Sequence, residues 1–200
     1  KKVLCPNLQS KISELLVNKD PNNLISISVL NQKEQIIADY NGNTPRIPAS
    51  NQKLISSAYT LSKLGPYYRL ETNIYRNKNG TYLITGNGDP DMSIDYIDYI
   101  ASQINNSYSR DSLQQTQLIL KIEETPSEYW WPKSWTAYDK SMSYGAPLTK
   151  LAVTSNSNYR AISKPLERLK ILLRKSFMGY NLDPSFQIVD DGYFKTNKSK

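Results

Sequence analysis

Histidine is absent from the 200 residues and cysteine occurs once. Without histidine the chain cannot assemble a Ser-His-Asp triad, and most catalytic zinc sites are excluded with it. A lone cysteine forms no internal disulfide and no cysteine-based zinc site. No apolar run approaches the ~20 residues that a helical membrane span needs. A signal peptide is not visible: Lys1-Lys2-Val3-Leu4-Cys5 gives way at once to Pro6-Asn7, so the start reads as a mature or trimmed N-terminus. Leu4 is a poor residue directly before a lipid-attachment cysteine, which argues against lipidation at Cys5. Acidic residues are in deficit, 18 against 25 Lys and Arg, giving a net charge of +7. These cations are scattered, with no basic block and no RNA-binding signature, so nucleic acid is not an expected partner. An anionic cell-wall polymer or membrane surface suits the charge equally well, leaving room for peripheral membrane contact. Mean hydropathy of −0.58 and 38% hydrophobic residues fit a polar-surfaced chain able to bury a core in one or two domains.

What the sequence does contain is a serine and a lysine three apart, in Pro48-Ala49-Ser50-Asn51-Gln52-Lys53-Leu54. Leu54, Ile55, Ala58, Leu61 and Leu64 follow at helical spacing, and Gly65-Pro66 stops the pattern. Ser50 is therefore expected at or near a helix N-terminus, with Lys53 about one turn on along the same face. A serine hydroxyl is a weak nucleophile until a base lies within hydrogen-bond reach. With no histidine available, lysine is the natural base, provided burial or nearby positive charge lowers its pKa. By spacing alone the pair also reads as a serine cap beside a solvated lysine.

Elsewhere, Asn7 to Lys19 shows an amphipathic pattern through Leu8, Ile12, Leu15 and Leu16, ended by Asp20-Pro21. Leu24 to Leu30 and Glu34 to Tyr40 read as a hairpin around Asn31-Gln32-Lys33, and Arg69 to Arg76 with Thr81 to Thr85 as another. Gly86-Asn87-Gly88-Asp89-Pro90 lacks the spacing of a nucleotide-binding loop and reads as a structural turn. A helix is expected over Ile94 to Ile104, a strand over Gln117 to Ile122, and a basic helix over Pro165 to Phe177 ended by Gly179. Strands are expected at Phe186 to Val189 and at Tyr193-Phe194. All three tryptophans fall in Trp130 to Trp135, where they could stack on sugar rings or pack domains together.

Four ordered blocks carry a resemblance. They are Pro48 to Leu54, Leu64-Gly65-Pro66-Tyr67-Tyr68-Arg69, Tyr82 to Pro90, and Tyr144-Gly145-Ala146-Pro147-Leu148-Thr149-Lys150-Leu151. Together they resemble the penicillin-binding-protein-4 family, the class C penicillin-binding proteins: D-alanyl-D-alanine carboxypeptidases and endopeptidases of peptidase family S13. The resemblance covers roughly residues 8 to 158. It implies an α+β (α/β) chain, namely the N-terminal part of a serine β-lactamase/transpeptidase-like fold with an inserted α/β domain. Residues 1–68 would belong to the catalytic domain, 69–158 to the insert, and 159–200 to a nested subdomain or a truncated tail. Ser50 would be the acylated nucleophile and Lys53 its base. Asp139, seven residues before Ala146, would contact the free amino group of the diamino acid in the stem peptide. Peptidoglycan stem peptides would be the substrate, β-lactams covalent inhibitors, and the location extracytoplasmic; no metal or cofactor is implied.

The sequence departs from the family at two further motifs, Ser-x-Asn and Lys-Thr-Gly. Thr154-Ser155-Asn156 has the shape of the first but comes too early, and Lys195-Thr196-Asn197 lacks the glycine of the second. The expectation is that both motifs lie beyond Lys200 and that the chain is an N-terminal fragment. The alternatives are a non-catalytic wall-binding protein with the same fold and a β-lactamase with fast deacylation.

Overall fold

The computed structural model describes residues 5–110, 117–190 and 192. Helices and strands mix in an α+β arrangement, and the chain divides into two compact units, residues 1–67 and 68–200.

In the first unit, helix α1 (Pro6–Val17) opens with proline at its first turn, where the missing N–H costs nothing. Strands β1 (Ile27–Leu30) and β2 (Ile36–Tyr40) pair antiparallel, as the expected hairpin requires. The Asn31 side chain closes the turn between them by accepting the Lys33 and Gln35 N–H groups. Helix α1 is held to β2 by an amide in place of a strand: Gln9 Nε2 donates to the Asp39 carbonyl at 2.8 Å, and its Oε1 accepts the Asp39 N–H at 2.8 Å. Asp20, 5% exposed, anchors the following loop by accepting the Leu24 and Ile25 N–H groups. Of the apolar stripe expected on α1 only Leu16 is buried, and Leu15 is 61% exposed.

Helix α2 (Gln52–Leu64) follows a 3-10 turn, Ala49–Asn51, and stops at Gly65 with φ +80°. Its boundaries match the sequence pattern, but its burial does not. Not one residue of α2 is buried; Leu54 is 73% and Ile55 64% exposed.

The second unit is a four-stranded sheet of order β3-β4-β5-β6, formed by Thr72–Arg76, Tyr82–Gly86, Ile119–Glu124 and Ser185–Asp190. β3 and β4 are an antiparallel hairpin, and β4-β5 and β5-β6 run parallel through the crossover helices α3 (Ile94–Tyr108) and α5 (Pro165–Met178). Both helices cover one face. Tyr82, Ile84, Leu120 and Ile122 from the sheet meet Ile97, Ile100 and Ile104 of α3 and Leu169, Leu173 and Phe177 of α5. α3 runs a turn beyond the expected Ile104 because Tyr108 packs against this core, overriding the weak helix propensity of Asn105 and Asn106. The expected strand at Tyr193-Phe194 and the residues Lys195-Thr196-Asn197 lie outside the described residues.

Leu120 is fully buried at the centre of this sheet. Leu120→Ala should destabilise the second unit by about 2–5 kcal/mol, read as a lowered urea midpoint. Leu54→Ala on the uncovered face of α2 should change the first unit by no more than about 0.5 kcal/mol.

Candidate active site

Pro48, with φ −71°, leads into the 3-10 turn that carries Ser50, and Lys53 occupies the first turn of α2. Both side chains are exposed. Among the described residues no hydrogen bond joins the Ser50 hydroxyl to the Lys53 amine. Ala49, directly before Ser50, has φ +44°, a left-handed conformation that costs a non-glycine residue about 1 kcal/mol. The backbone is thus strained at the residue that sets the direction of Ser50. Sequence reasoning anticipated the helix start and missed this strain.

Asp139 lies in the second unit, at the start of the short helix α4 (Ala137–Ser141). Thr136 and Asp139 form a reciprocal capping box: Thr136 Oγ1 and N–H donate to Asp139 Oδ2 at 2.6 and 3.1 Å, and the Asp139 N–H donates back to Thr136 Oγ1. The other carboxylate oxygen, Oδ1, accepts the Tyr144 hydroxyl at 3.1 Å. The hydrogen bonds from Thr136, then that from Tyr144, hold the Asp139 carboxyl below the usual aspartate range. Tyr144 moves the opposite way, through desolvation first and then its bond to Asp139. Trp135 packs edge-on against the Tyr144 ring at 6.3 Å. An ionised carboxylate with one oxygen committed to a cap and the other beside an aromatic wall is suited to an ammonium group.

Gly145 makes the contact between Asp139 and Tyr144 feasible. A Cβ there would stand 1.8 Å from the Asp139 carbonyl oxygen, so any side chain would drive the two segments apart. Tyr144 is therefore a partner of Asp139 that the sequence reading quoted within a block but did not single out. The signal was the glycine beside it.

From Tyr144 the chain runs across the C-terminal ends of β4 and β5, where a cavity of about 710 Å³ opens between Asn87, Tyr144, Pro147 and Ser155. The Lys150 N–H donates to both oxygens of the Glu124 carboxylate, at 3.1 and 2.9 Å, and the Lys150 carbonyl accepts the Gly88 N–H at 2.9 Å. Gly86 permits that approach, since a Cβ would lie 2.3 Å from the Lys150 oxygen. The Gly86 to Pro90 turn is thus engaged with its own chain. Lys150 Nζ also pairs with Glu123 at 3.4 Å. Burial pushes the Glu124 carboxyl up, opposed by hydrogen bonds from Thr125 and Lys150.

Thr154-Ser155-Asn156, the early Ser-x-Asn shape, is a left-handed turn with φ of 50°, 56° and 49°. Asn156 is 1% exposed and spends its amide on the Pro147 carbonyl and the Thr149 hydroxyl, while the Ser155 hydroxyl donates to the Pro90 carbonyl. The tryptophans also pack within this unit: Trp130 and Trp131 donate their indole N–H groups to the carbonyls of Thr125 and Gly145. Among the described residues no group of three or more His, Cys, Asp and Glu is placed to hold a metal ion, and no helix is long and apolar enough to cross a membrane.

The first unit thus presents Ser-x-x-Lys at a helix start, and the second presents a carboxylate beside an aromatic wall. Residues 8–172 match the D-Ala-D-Ala carboxypeptidase 3 (S13) family, and the chain belongs to it. Comparison with individual curated proteins gave no significant match.

Two outcomes follow from this geometry. Gly145→Ala should destabilise the second unit by about 2 kcal/mol or more and raise the Asp139 pKa in an NMR titration as Tyr144 is forced away. Because folding raises the Glu124 pKa above its ordinary 4.5, its contribution to stability is full below that pH. It is lost as pH rises from there through the folded value. Urea midpoints measured across this interval should fall with rising pH, and Glu124→Gln should flatten the slope.

Proposed function

We propose that the chain supplies the nucleophile, base and amine-recognition group of a serine D-alanyl-D-alanine carboxypeptidase or endopeptidase that acts on peptidoglycan stem peptides outside the cytoplasm. The carrying observation is the family match over 8–172 together with Ser50 and Lys53 one turn apart where α2 begins. Lys53 takes the proton of Ser50 as its Oγ bonds to the carbonyl carbon between two D-alanines. The C–N bond then breaks, the terminal D-alanine leaves with a proton, and water hydrolyses the ester to restore Ser50. Helix α2 contributes the positive end of its dipole to the developing oxyanion.

A lysine serves as this base only when burial or nearby positive charge lowers its pKa, and α2 has no buried residue. Acylation on this reading requires a surface over the apolar face of α2, together with Ser-x-Asn and Lys-Thr-Gly groups. We assign residues 1–68 to the catalytic domain and 69–158 to the insert. β6 and α5 of the 159–200 segment join the same sheet and core as the insert. Asp139 would receive the free amine of the stem-peptide diamino acid at Oδ1, beside Tyr144.

The exposed α2 also favours a second reading, a non-catalytic protein that keeps the fold and binds wall peptides. Intact mass after incubation with benzylpenicillin separates the two. The first reading expects a covalent adduct that Ser50→Ala abolishes, either on this chain or on a longer one that carries both further motifs. No adduct on a folded longer chain would leave the binding reading. For peptide substrates bearing a free amine, Asp139→Asn should lower kcat/KM by about 10–100-fold, the value of one charge-assisted hydrogen bond. Acylation by benzylpenicillin should be unchanged.

A further inference from the structure

The second unit carries a groove that the proposed chemistry does not use. Helices α3 and α5 lie over the sheet core, and β3 is an edge strand of that sheet. The register places Thr72, Ile74 and Arg76 of β3 on the same face as Tyr82 and Ile84. Across from them stands one flank of α3, where Tyr96, Tyr99, Gln103 and Ser107 fall at helical spacings of three and four. The groove between strand and helix measures about 420 Å³, within the ~300–1,000 Å³ of small-ligand sites.

Its lining is aromatic and neutral-polar. The Tyr96 and Tyr99 rings stack at 5.7 Å with 29° between planes, and they remain 38% and 54% exposed. Gln103 adds an amide, and Ser107 adds a hydroxyl fixed by the buried Tyr82, whose O–H donates to it at 2.9 Å. Stacked rings beside side-chain amides and hydroxyls match a ligand with flat C–H faces and a periphery of hydroxyl and amide groups. A phosphate strand fits poorly, because Arg76 is the one cation among the described lining residues. An extended peptide adding to β3 would engage the strand's backbone edge, whereas this groove lies over the strand's face.

We propose that the groove between β3 and α3 binds a β-linked, N-acetylated amino-sugar strand, with Tyr96 and Tyr99 as the stacking platform and Gln103 as the partner of an acetamido group. The choice of an N-acetylated sugar rests on the wall-peptide reading above; the polar-aromatic groove stands without it. A glycan seated there would hold its attached peptides near the protein while Ser50 chemistry proceeds elsewhere.

The test titrates the full chain carrying Ser50→Ala with chitotetraose, followed by amide chemical shifts. Serine chemistry is silent in this variant, so failure of the sugar test and failure of acylation are read separately. Dissociation constants in the millimolar range or below are expected, with shifts confined to β3 and α3. Tyr99→Ala should weaken binding by about tenfold, and Gln103→Ala should erase the preference for chitotetraose over cellotetraose, which lacks acetamido groups. Both side chains are exposed, so the variants should keep the parent circular dichroism spectrum. No shifts at about 5 mM sugar, shifts elsewhere on the unit, equal binding of cellotetraose to the parent, or full binding by Tyr99→Ala would each overturn the proposal. So would displacement of the sugar by an unmodified D-Ala-D-Ala peptide at the same residues.

Discussion

The backbone of Lys150 is gripped from two sides, its N–H by the Glu124 carboxylate and its carbonyl by the N–H of Gly88. A side chain at Gly86 would collide with the Lys150 carbonyl. Through these bonds an irregular segment of more than a dozen residues is fixed to the ends of two parallel strands. Asn156 then ties Pro147 to Thr149 from beneath, and Gly145 brings Tyr144 onto Asp139. Loop structure of this kind has no repeating ladder to hold it, so each buried polar contact must be satisfied individually. Here Glu124 does so at the cost of a carboxyl pKa raised by burial.

The two family blocks that are distant in sequence, Tyr82 to Pro90 and Tyr144 to Leu151, are thus the two halves of one junction. Gly86 of the first gives way, by lacking a side chain, to the Lys150 backbone of the second, and Gly145 of the second gives way to the Asp139 backbone. That is a physical reason for glycines at 86 and 145. The glycine-rich turn, which invites comparison with anion-binding loops, has its Gly88 N–H committed to its own chain.

Much of the sheet unit was legible in the sequence. The helix expected over Pro165 to Phe177 is α5, and the strands expected over Thr81 to Thr85 and Gln117 to Ile122 are β4 and β5 within a residue or two. α2 shows where the same reasoning stops. Its stripe is equally regular, yet Leu54, Ile55, Leu61 and Leu64 are all at least half exposed. Periodicity tells which residues share a face; it does not tell whether anything covers that face. The contact that fastens α1 was invisible for another reason, since Gln9 reads as polar surface in any amphipathic scheme. Asp139 was reached through its offset from Ala146, but its partners Thr136 and Tyr144 depend on loop geometry that no period encodes. Glu124, acidic and at a strand end, reads as solvent-facing and is 2% exposed.

The Gln9 amide has a consequence for the small sheet of the first unit. Its two bonds to Asp39 and the bond from the Cys5 N–H to the Ile37 carbonyl occupy backbone groups along β2 that would otherwise recruit another strand. Two strands alone are marginal in water and gain stability from neighbours. With these groups of β2 occupied, that edge of the sheet is closed to a further strand. One glutamine and one backbone N–H thereby seal an edge that would otherwise take a whole strand.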